Sequence, residues 1–320
     1  MMNKRINIFA LLLVFCIILT SCGQKNNQTS KSDSKTEITK ESNSKEGKKL
    51  IYTTFFPVTD LTKMIVGDKM EVKTIIKGSE EPHSFELKTD DMKSIIAADL
   101  VVYNGANMES FIPDLEKAVG NKDKFLNLSQ GLTLLKQGDG LNESNDMVNP
   151  HTWLSVKNAI EQLDTIYKKL SSIDPENESY YKANLEKAQE KFKELDKKFE
   201  IELAKVNKKD KYFVVSHAAF NYLANDYGLK QVAVTGISPE DEPSAKQLKT
   251  IADFVKKNNI STIFFEGKAT PKVAETLAKN TNTKTSTMYT MENLTEEEAQ
   301  MGYLKLMELN LKALMESFND

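Results

Sequence analysis

The feature that most constrains the fold is an alternation of short strand-like runs with longer helical stretches. The runs are rich in β-branched and aromatic residues, and the stretches between them carry apolar residues at helical spacing. Strands that alternate with helices form parallel sheets covered by helices. The pattern therefore predicts an α/β protein with two similar lobes, each a mainly parallel four-stranded sheet with flanking helices. The runs are 50–56, 71–76, 99–104 and 124–128 in the first half and 211–216, 230–236, 261–267 and 284–290 in the second.

The segment between the two sets of runs predicts one long helix. Asp174 is a favourable N-cap with Pro175 at the first helical position, and apolar residues recur three or four apart from Tyr181 to Val206. About thirty residues at about 1.5 Å each extend roughly 45 Å, enough to join the lobes as one rigid connector. A coiled-coil protrusion is the alternative. The predicted organisation is a first lobe at 49–172, a bridging helix at 173–207 and a second lobe at 208–320.

The N-terminal residues predict secretion. Lys4 and Arg5 precede an apolar stretch at 6–20 that is too short for a stable membrane anchor, and the tetrapeptide Leu-Thr-Ser-Cys ends at Cys22. This pattern resembles the lipobox of bacterial lipoproteins. The resemblance implies removal of a signal peptide at 1–21, acylation of Cys22 and an extracytoplasmic, lipid-anchored protein on the cell membrane. An ordinary signal peptide with an incidental cysteine is the alternative.

Composition excludes several kinds of chemistry. The only cysteines are Cys16, inside the leader, and Cys22, so the folded part has neither thiolate ligands nor disulfides. Residues 22–48 contain almost no apolar side chains and predict a flexible tether. The 43 Lys and Arg residues nearly balance the 46 Asp and Glu residues, and the two signs are interleaved along the chain. We therefore expect no nucleic-acid partner.

Three histidines are the only ones in the chain, and each lies in a loop-like segment beyond a predicted strand. His83 follows the run at 71–76, His151 follows 124–128 through a long loop, and His217 directly follows 211–216. Glu292 directly follows the run at 284–290. Ligands of open parallel sheets bind outside the carboxyl ends of the strands, so these four side chains can converge on a divalent metal in a cleft between the lobes. The alternative is that the histidines are unrelated loop or core residues.

These segments carry a resemblance to a known family. The stretches EPHSFELKTDD, NPHTWLSV, SHAAFNYLANDYGL and MENLTEEEAQMGYLKLMELN resemble, in the same order, the metal-binding solute-binding lipoproteins of ABC transporters that import zinc or manganese. The resemblance covers essentially the whole chain. It implies ligation by His83, His151 and His217 with a carboxylate from the second lobe as the fourth ligand. It also implies a monomeric receptor whose partner is an ABC transporter permease.

The same resemblance bears on the metal. Manganese receptors of this family usually carry a carboxylate where this chain has His217, whereas zinc receptors keep a histidine there, and imidazole suits zinc. We therefore expect Zn²⁺, with Mn²⁺ as the alternative. Many members place an aspartate at the fourth position, and here Glu292 is the residue near that place that can ligate, in a segment that resembles the PLESLT-like closing segment of some zinc receptors.

Further residues are expected to support the site. Trp153 and Phe85 are predicted to pack around it and exclude water. Glu266 is predicted either to accept a hydrogen bond from a ligating imidazole or to be a buried structural carboxylate, and Glu80 and Glu81 are predicted to be solvated charges at the rim. The loop before His151 contains no histidine, so no accessory metal sites are expected there.

The C-terminal segment predicts a single amphipathic helix that packs on the second sheet. Thr295 and Glu298 form a capping box, and an apolar stripe runs from Tyr303 to Phe318.

The function classes can be compared on the same residues. A zinc hydrolase keeps an open metal position for an activated water, whereas this chain offers a fourth protein ligand and contains no HExxH motif. Capture therefore fits better than catalysis, and we predict no enzymatic activity. A surface adhesin that binds a host matrix ligand on the same scaffold is the further alternative.

Overall fold

The structure is a computed structural model that describes residues 47–138, 147–266 and 271–319. The predicted signal peptide, Cys22 and almost all of the tether lie outside the described residues. Among the residues that are described, no helix is both long and apolar enough to cross a membrane.

The first lobe is a parallel sheet of four strands in the order β2-β1-β3-β4. Of the two central strands, β3 is buried on both faces over its first three residues, as expected for a parallel sheet covered by helices, whereas β1 alternates between partly buried and buried residues. The strands are β1 (Leu50–Thr53), β2 (Glu71–Thr74), β3 (Leu100–Tyr103) and β4 (Phe125–Asn127), and the helices are α1 (Phe56–Val66), α2 (Thr89–Ile96) and α3 (Ile112–Val119).

Two long helices follow the first sheet and pack along each other. They are α4 (Val156–Ile173) and α5 (Glu178–Ala204), joined by a single 3₁₀ turn at Pro175–Asn177. The prediction that Asp174 caps the long helix is wrong in detail. The carboxylate of Asp174 makes no capping bond and instead accepts hydrogen bonds from the Asn177 side chain and the Tyr181 hydroxyl, so the turn separates Asp174 from the start of α5.

The second lobe repeats the architecture of the first. Its four strands are parallel in the order β6-β5-β7-β8, which is the same permutation as in the first lobe. The prediction of two similar α/β lobes is confirmed. The strands are β5 (Tyr212–Val215), β6 (Lys230–Ala233), β7 (Thr262–Phe265) and β8 (Lys284–Thr287), and the helices are α6 (Asn221–Tyr227), α7 (Ala245–Lys257) and α8 (Pro271–Thr281).

The C-terminal segment forms two helices, α9 (Glu296–Met301) and α10 (Tyr303–Asn319), and not the single helix predicted. The capping box of Thr295 and Glu298 is present at the start of α9. Gly302 ends α9 with a φ of 78°, a conformation that glycine adopts without steric cost. As predicted, α10 contacts the second sheet at β8, and it also contacts α5 and α1.

One large hydrophobic core extends through both lobes. It joins residues of the first sheet, the apolar stripe of α5, one face of the second sheet and the apolar side of α10, and its members include Ile51, Val102, Phe192, Phe199, Phe213, Phe264, Leu306 and Leu311. A second, smaller core lies between the other face of the second sheet and helices α7 and α8. The helix α5 contacts α1 of the first lobe and α6 and α10 of the second. It therefore links the lobes through a shared interior, as a rigid connector should.

Candidate metal centre

The four candidate ligands come from four separate segments beyond the ends of strands. His83 lies in a 3₁₀ turn at Pro82–Ser84, where the proline fixes the first backbone angle of the turn. His151 immediately precedes another 3₁₀ turn, His217 lies two residues after β5, and Glu292 lies in the loop between β8 and α9. Two ligands therefore come from each lobe.

The four side chains meet at one point. Glu292 Oε1 lies 2.8 Å from His83 Nε2 and 3.1 Å from His151 Nε2, and Glu292 Oε2 lies 3.3 Å from His217 Nε2. One nitrogen or oxygen atom from each residue lies within 4.8 Å of the corresponding atom of every other. The described residues thus contain a single compact set of three imidazoles and one carboxylate, as the sequence predicts.

The cluster is buried at the boundary of the lobes. The side chains of His151, His217 and Glu292 are at most 1% exposed, and that of His83 is 11% exposed. A cleft of about 600 Å³ opens beside Glu292, between Phe56 and Thr59 of the first lobe and Thr295 of the second. His83 is therefore the ligand nearest to solvent.

Asn149 orients the imidazole of His151 and was not identified from the sequence. Its Oδ1 atom accepts hydrogen bonds from the His151 backbone N–H at 3.0 Å and from Nδ1 at 2.7 Å. Its Nδ2 atom donates to the carbonyl of Ala218 at 2.7 Å, which fixes the orientation of the amide. The proton of His151 therefore lies on Nδ1, and the lone pair of Nε2 faces the centre of the cluster. The NPH motif, with an Asn two residues before the histidine, was the available signal.

Glu266 contacts the remote nitrogen of His217. Its Oε2 atom lies 2.7 Å from His217 Nδ1, and its Oε1 atom accepts a hydrogen bond from the Ser216 hydroxyl. A carboxylate in this position keeps a proton on Nδ1 and directs Nε2 toward the cluster. Glu266 is thus both buried, at 6% exposure, and in contact with the His217 imidazole, which is compatible with either of the two roles predicted for it.

Burial and neighbouring charges shift the pKa values of His151 and His217 in opposite directions. Burial lowers the pKa of His151 to about 4, so this imidazole is neutral at pH 7. Burial also disfavours the charged form of His217, but the carboxylates of Glu266 and Glu292 on either side of the ring outweigh it and raise the pKa to about 10. Burial alone raises the pKa of Glu292, yet the surrounding imidazoles hold it well below its usual range.

The two aromatic residues predicted to surround the site have different contacts. The indole of Trp153 is 1% exposed, its ring lies 5.1 Å from that of His151, and its Nε1 donates to the carbonyl of Thr290 at 2.7 Å. Phe85 is partly buried and packs edge-on against Phe111, with ring centroids 5.6 Å apart. Trp153 thus connects the His151 loop to the loop that carries Glu292.

Glu81 is not the solvated rim charge that the sequence suggested. Its Oε1 atom accepts a hydrogen bond from the His83 backbone N–H at 3.0 Å, and its Oε2 atom accepts one from Asn293 Nδ2 at 2.6 Å. Burial, together with the negative charge of Glu292, raises the pKa of Glu81. The prediction failed because Asn293 is distant in sequence and only the fold brings it to Glu81.

The loop that carries Glu292 has a strained backbone. Met291 has a φ of 65°, in the left-handed region, and its side chain is fully buried. Such a conformation costs roughly 1–3 kcal/mol for a residue other than glycine and persists only where the surroundings hold it. Here the surroundings are the large core around the methionine and the hydrogen bond from Trp153 to Thr290.

The donor set fits a divalent metal of intermediate softness. With the proton of His151 on Nδ1, its Nε2 lone pair and a carboxylate oxygen of Glu292, both hydrogen-bond acceptors, face each other at 3.1 Å. A proton on His217 Nε2, which lies 3.2 Å from His151 Nε2, or a cation bound by all four residues stabilises such an arrangement. Three imidazole nitrogens and one carboxylate oxygen are ligands that Zn²⁺ and similar ions accept in a four-coordinate site.

The fold and the site together define a class: two-lobed α/β proteins that bury a cluster of imidazoles and a carboxylate where the lobes meet. The chain belongs to the ZnuA family, described as the zinc-uptake complex component A, periplasmic, whose family model matches residues 51–317.

Individual relatives agree with this assignment. The chain is 36% identical to the high-affinity zinc uptake system protein ZnuA of Bacillus subtilis, over 99% of this chain and 98% of the relative. The Zn(II)-bound ZnuA-like domain of Streptococcus pneumoniae AdcA matches with a TM-score of 0.74 and 38% identity, over 86% of this chain and all of that domain. The laminin-binding protein of Streptococcus agalactiae, described as a bifunctional adhesin and metal transporter, matches with a TM-score of 0.75 and 33% identity, over 84% of this chain and 99% of that one. The chain spans 56% of the length of the streptococcal zinc-binding AdcA proteins.

Proposed function

We propose that this protein is an extracytoplasmic receptor that captures Zn²⁺ between its lobes and delivers it to an ABC importer. The observation that carries the proposal is the convergence of His83, His151, His217 and Glu292, with one donor atom from each within 4.8 Å of every other. The B. subtilis relative, matched over nearly its whole length, is named for high-affinity zinc uptake. The proposed ligands are the three Nε2 atoms and the carboxylate of Glu292.

Ligand chemistry supports zinc as the cargo in preference to manganese. Imidazole binds zinc well, whereas carboxylate, carbonyl and water ligands suit manganese. The second lobe contributes an imidazole at His217, and Glu266 holds the proton on the Nδ1 atom of that ring, which increases the basicity of Nε2. Asn149 does the same for His151. These contacts orient both rings so that their Nε2 atoms face the cluster before the ion arrives.

The buried, four-donor arrangement also favours binding over catalysis. A catalytic zinc ion keeps one coordination position open for water, and here Glu292 occupies the fourth position of the proposed set. The protein is therefore proposed to be a carrier and not an enzyme. Delivery requires a permease that accepts the ion, and attachment through an acylated Cys22 keeps the receptor close to it, because two or more acyl chains give stable membrane anchoring.

Native mass spectrometry with metal analysis tests the proposal on the soluble chain from about residue 48 onward. We expect one zinc ion per monomer, and we expect zinc to displace manganese when both are supplied. His151→Ala should lose the ion, whereas Glu80→Ala, which alters an exposed carboxylate that caps its own loop, should retain it. Two or more tightly bound zinc ions per monomer, or full retention of zinc by His151→Ala, would contradict the proposal.

The likeness to the laminin-binding protein supports a second candidate function, adhesion to host matrix. Surface plasmon resonance with immobilised laminin tests it directly. Saturable binding by the zinc-loaded chain supports this role, and its absence at micromolar protein removes it. The result leaves the zinc proposal unaffected, because the two activities are measured on separate ligands.

A further inference from the structure

Two residues that are not candidate ligands connect the ligand segments of the two lobes. Glu81 precedes His83 by two residues, and Asn293 directly follows Glu292. The Glu81 carboxylate accepts one hydrogen bond from the His83 backbone N–H at 3.0 Å and one from the Asn293 side chain at 2.6 Å. A single carboxylate therefore fixes the turn that carries a ligand of the first lobe and joins it to a ligand segment of the second lobe.

Among the ligand segments that the structure describes, the His83 segment depends most on such a contact for its attachment to the opposite lobe. The side chain of His83 is 11% exposed, whereas the other three are at most 1% exposed. The His151 segment is joined to the second lobe by Asn149, which donates to Ala218 and accepts from Tyr222. Apart from the contact between His83 and Glu292 themselves, the hydrogen bond to Asn293 is the one that the structure shows from the His83 turn to the opposite lobe.

Different contacts hold the residues before and after Glu292 in the loop that carries it. Before Glu292, the Thr290 carbonyl accepts the indole N–H of Trp153, and the buried side chain of Met291 lies in the large core despite its positive φ. After Glu292, Asn293 donates to Glu81. Glu81 thus holds the side of this loop that Trp153 does not reach.

We propose that Glu81 and Asn293 form a positioning pair that joins the lobes at the edge of the metal centre and slows the departure of the bound ion. This inference rests on the proposed function. Neither residue is assigned as a metal ligand. Their hydrogen bond is short, at 2.6 Å, and joins side chains of the two lobes. Since it spans the two lobes, it forms only when His83 and Glu292 are both in place, and it must break before His83 can move away from the ion.

A merely structural role would have a different signature. Both side chains are only partly buried. Loss of the pair should therefore leave the folding of the metal-free chain unchanged and alter the kinetics of zinc. A structural role would lower the melting temperature of the metal-free chain and affect association and dissociation together.

Stopped-flow measurement of zinc release to an excess of chelator tests the proposal. The chains are the parent, Glu81→Ala, Asn293→Ala, the double variant and the control Glu80→Ala, which removes the neighbouring carboxylate. We expect Asn293→Ala to release zinc about tenfold faster, in keeping with the loss of one hydrogen bond. Glu81→Ala should release it at least as fast, because this change also removes the acceptor of the His83 N–H. Association rates should stay within about twofold of the parent. We expect the double variant to be no faster than the faster single variant, because both changes remove the same bond.

The alternatives give distinct results. Release rates of both single variants equal to those of Glu80→Ala, or effects that multiply in the double variant, overturn the pairing. A lowered melting temperature of both metal-free single variants overturns the positioning role in favour of a structural one. A parent chain that binds no zinc overturns the proposed function itself, which is a different failure from that of the pair.

Discussion

Raising the pH from about 6.5 to about 8.5 is expected to strengthen zinc binding by about tenfold per pH unit. The reason is the proton that His217 holds in the metal-free chain. Glu266 and Glu292 raise the pKa of this buried imidazole to about 10, so zinc must displace a proton from Nε2 at any pH below that value. An ordinary imidazole, with a pKa near 6.5, would confine the dependence to lower pH.

The number of protons released follows from the same contacts. At pH 8, His217 should contribute about one proton per zinc ion. His151 should contribute no proton, because burial lowers its pKa to about 4 and its Nε2 atom is therefore unprotonated at pH 8. Isothermal titration calorimetry in two non-coordinating buffers with different ionisation enthalpies measures the proton count directly.

Glu266→Gln provides the matched control. The substitution keeps the shape of the side chain but removes the negative charge 2.7 Å from His217 Nδ1. An opposite charge this close to an ionisable group shifts its pKa by about one to three units. The pKa of His217 should therefore fall by about one to two units, and proton release at pH 8.5 should drop toward about half a proton. Affinity that is constant between pH 6.5 and 8.5 in the parent would refute the assignment of this proton.

Two further expectations concern the same cluster. Glu292→Ala should bind zinc more weakly but still measurably in calorimetry, because water can fill the open position. His217→Ala should lose more affinity, because it removes an imidazole donor from the second lobe. A Glu292→Ala chain that binds as tightly as the parent would remove Glu292 from the ligand set. The metal-free chain should lose on the order of 3 kcal/mol of unfolding free energy as the pH falls from about 6.5 to about 4, because His151 is neutral when folded and gains a proton on unfolding. Urea unfolding across this range measures that loss, and a parent whose stability changes no more than that of His151→Ala contradicts it.

Local sequence patterns predicted most of the fold. All eight strands lie within the predicted runs, because β-branched and aromatic clusters between helical stretches are a local signal. The convergence of the four candidate ligands also followed from topology, since parallel strands place their C-terminal ends at the same edge of a sheet. Each predicted strand was too long, since residues such as Phe55 and Tyr289 continue the apolar pattern after the ladder of hydrogen bonds has ended.

The features that the sequence did not predict depend on contacts between distant residues. The hydrogen bond between Glu81 and Asn293 joins residues 212 positions apart, and neither residue type indicates such a partner. Gly302 divides the C-terminal helix because the Asp60 carboxylate of the first lobe accepts the N–H of Tyr303 and fixes a new helix start. In both cases the partner is supplied by the opposite lobe.

Because the molecule has two separate hydrophobic cores, zinc binding should stabilise its parts to different extents. The layer formed by α7 and α8 closes on the second sheet through its own small core, whereas the candidate ligands are flanked by members of the large core, among them Trp153, Ala218 and Met291. Bound zinc should slow amide hydrogen exchange throughout the large core, in both lobes at once. The α7 and α8 layer can open in a separate, smaller unfolding event, so its exchange rates should be the same in the loaded and empty receptor.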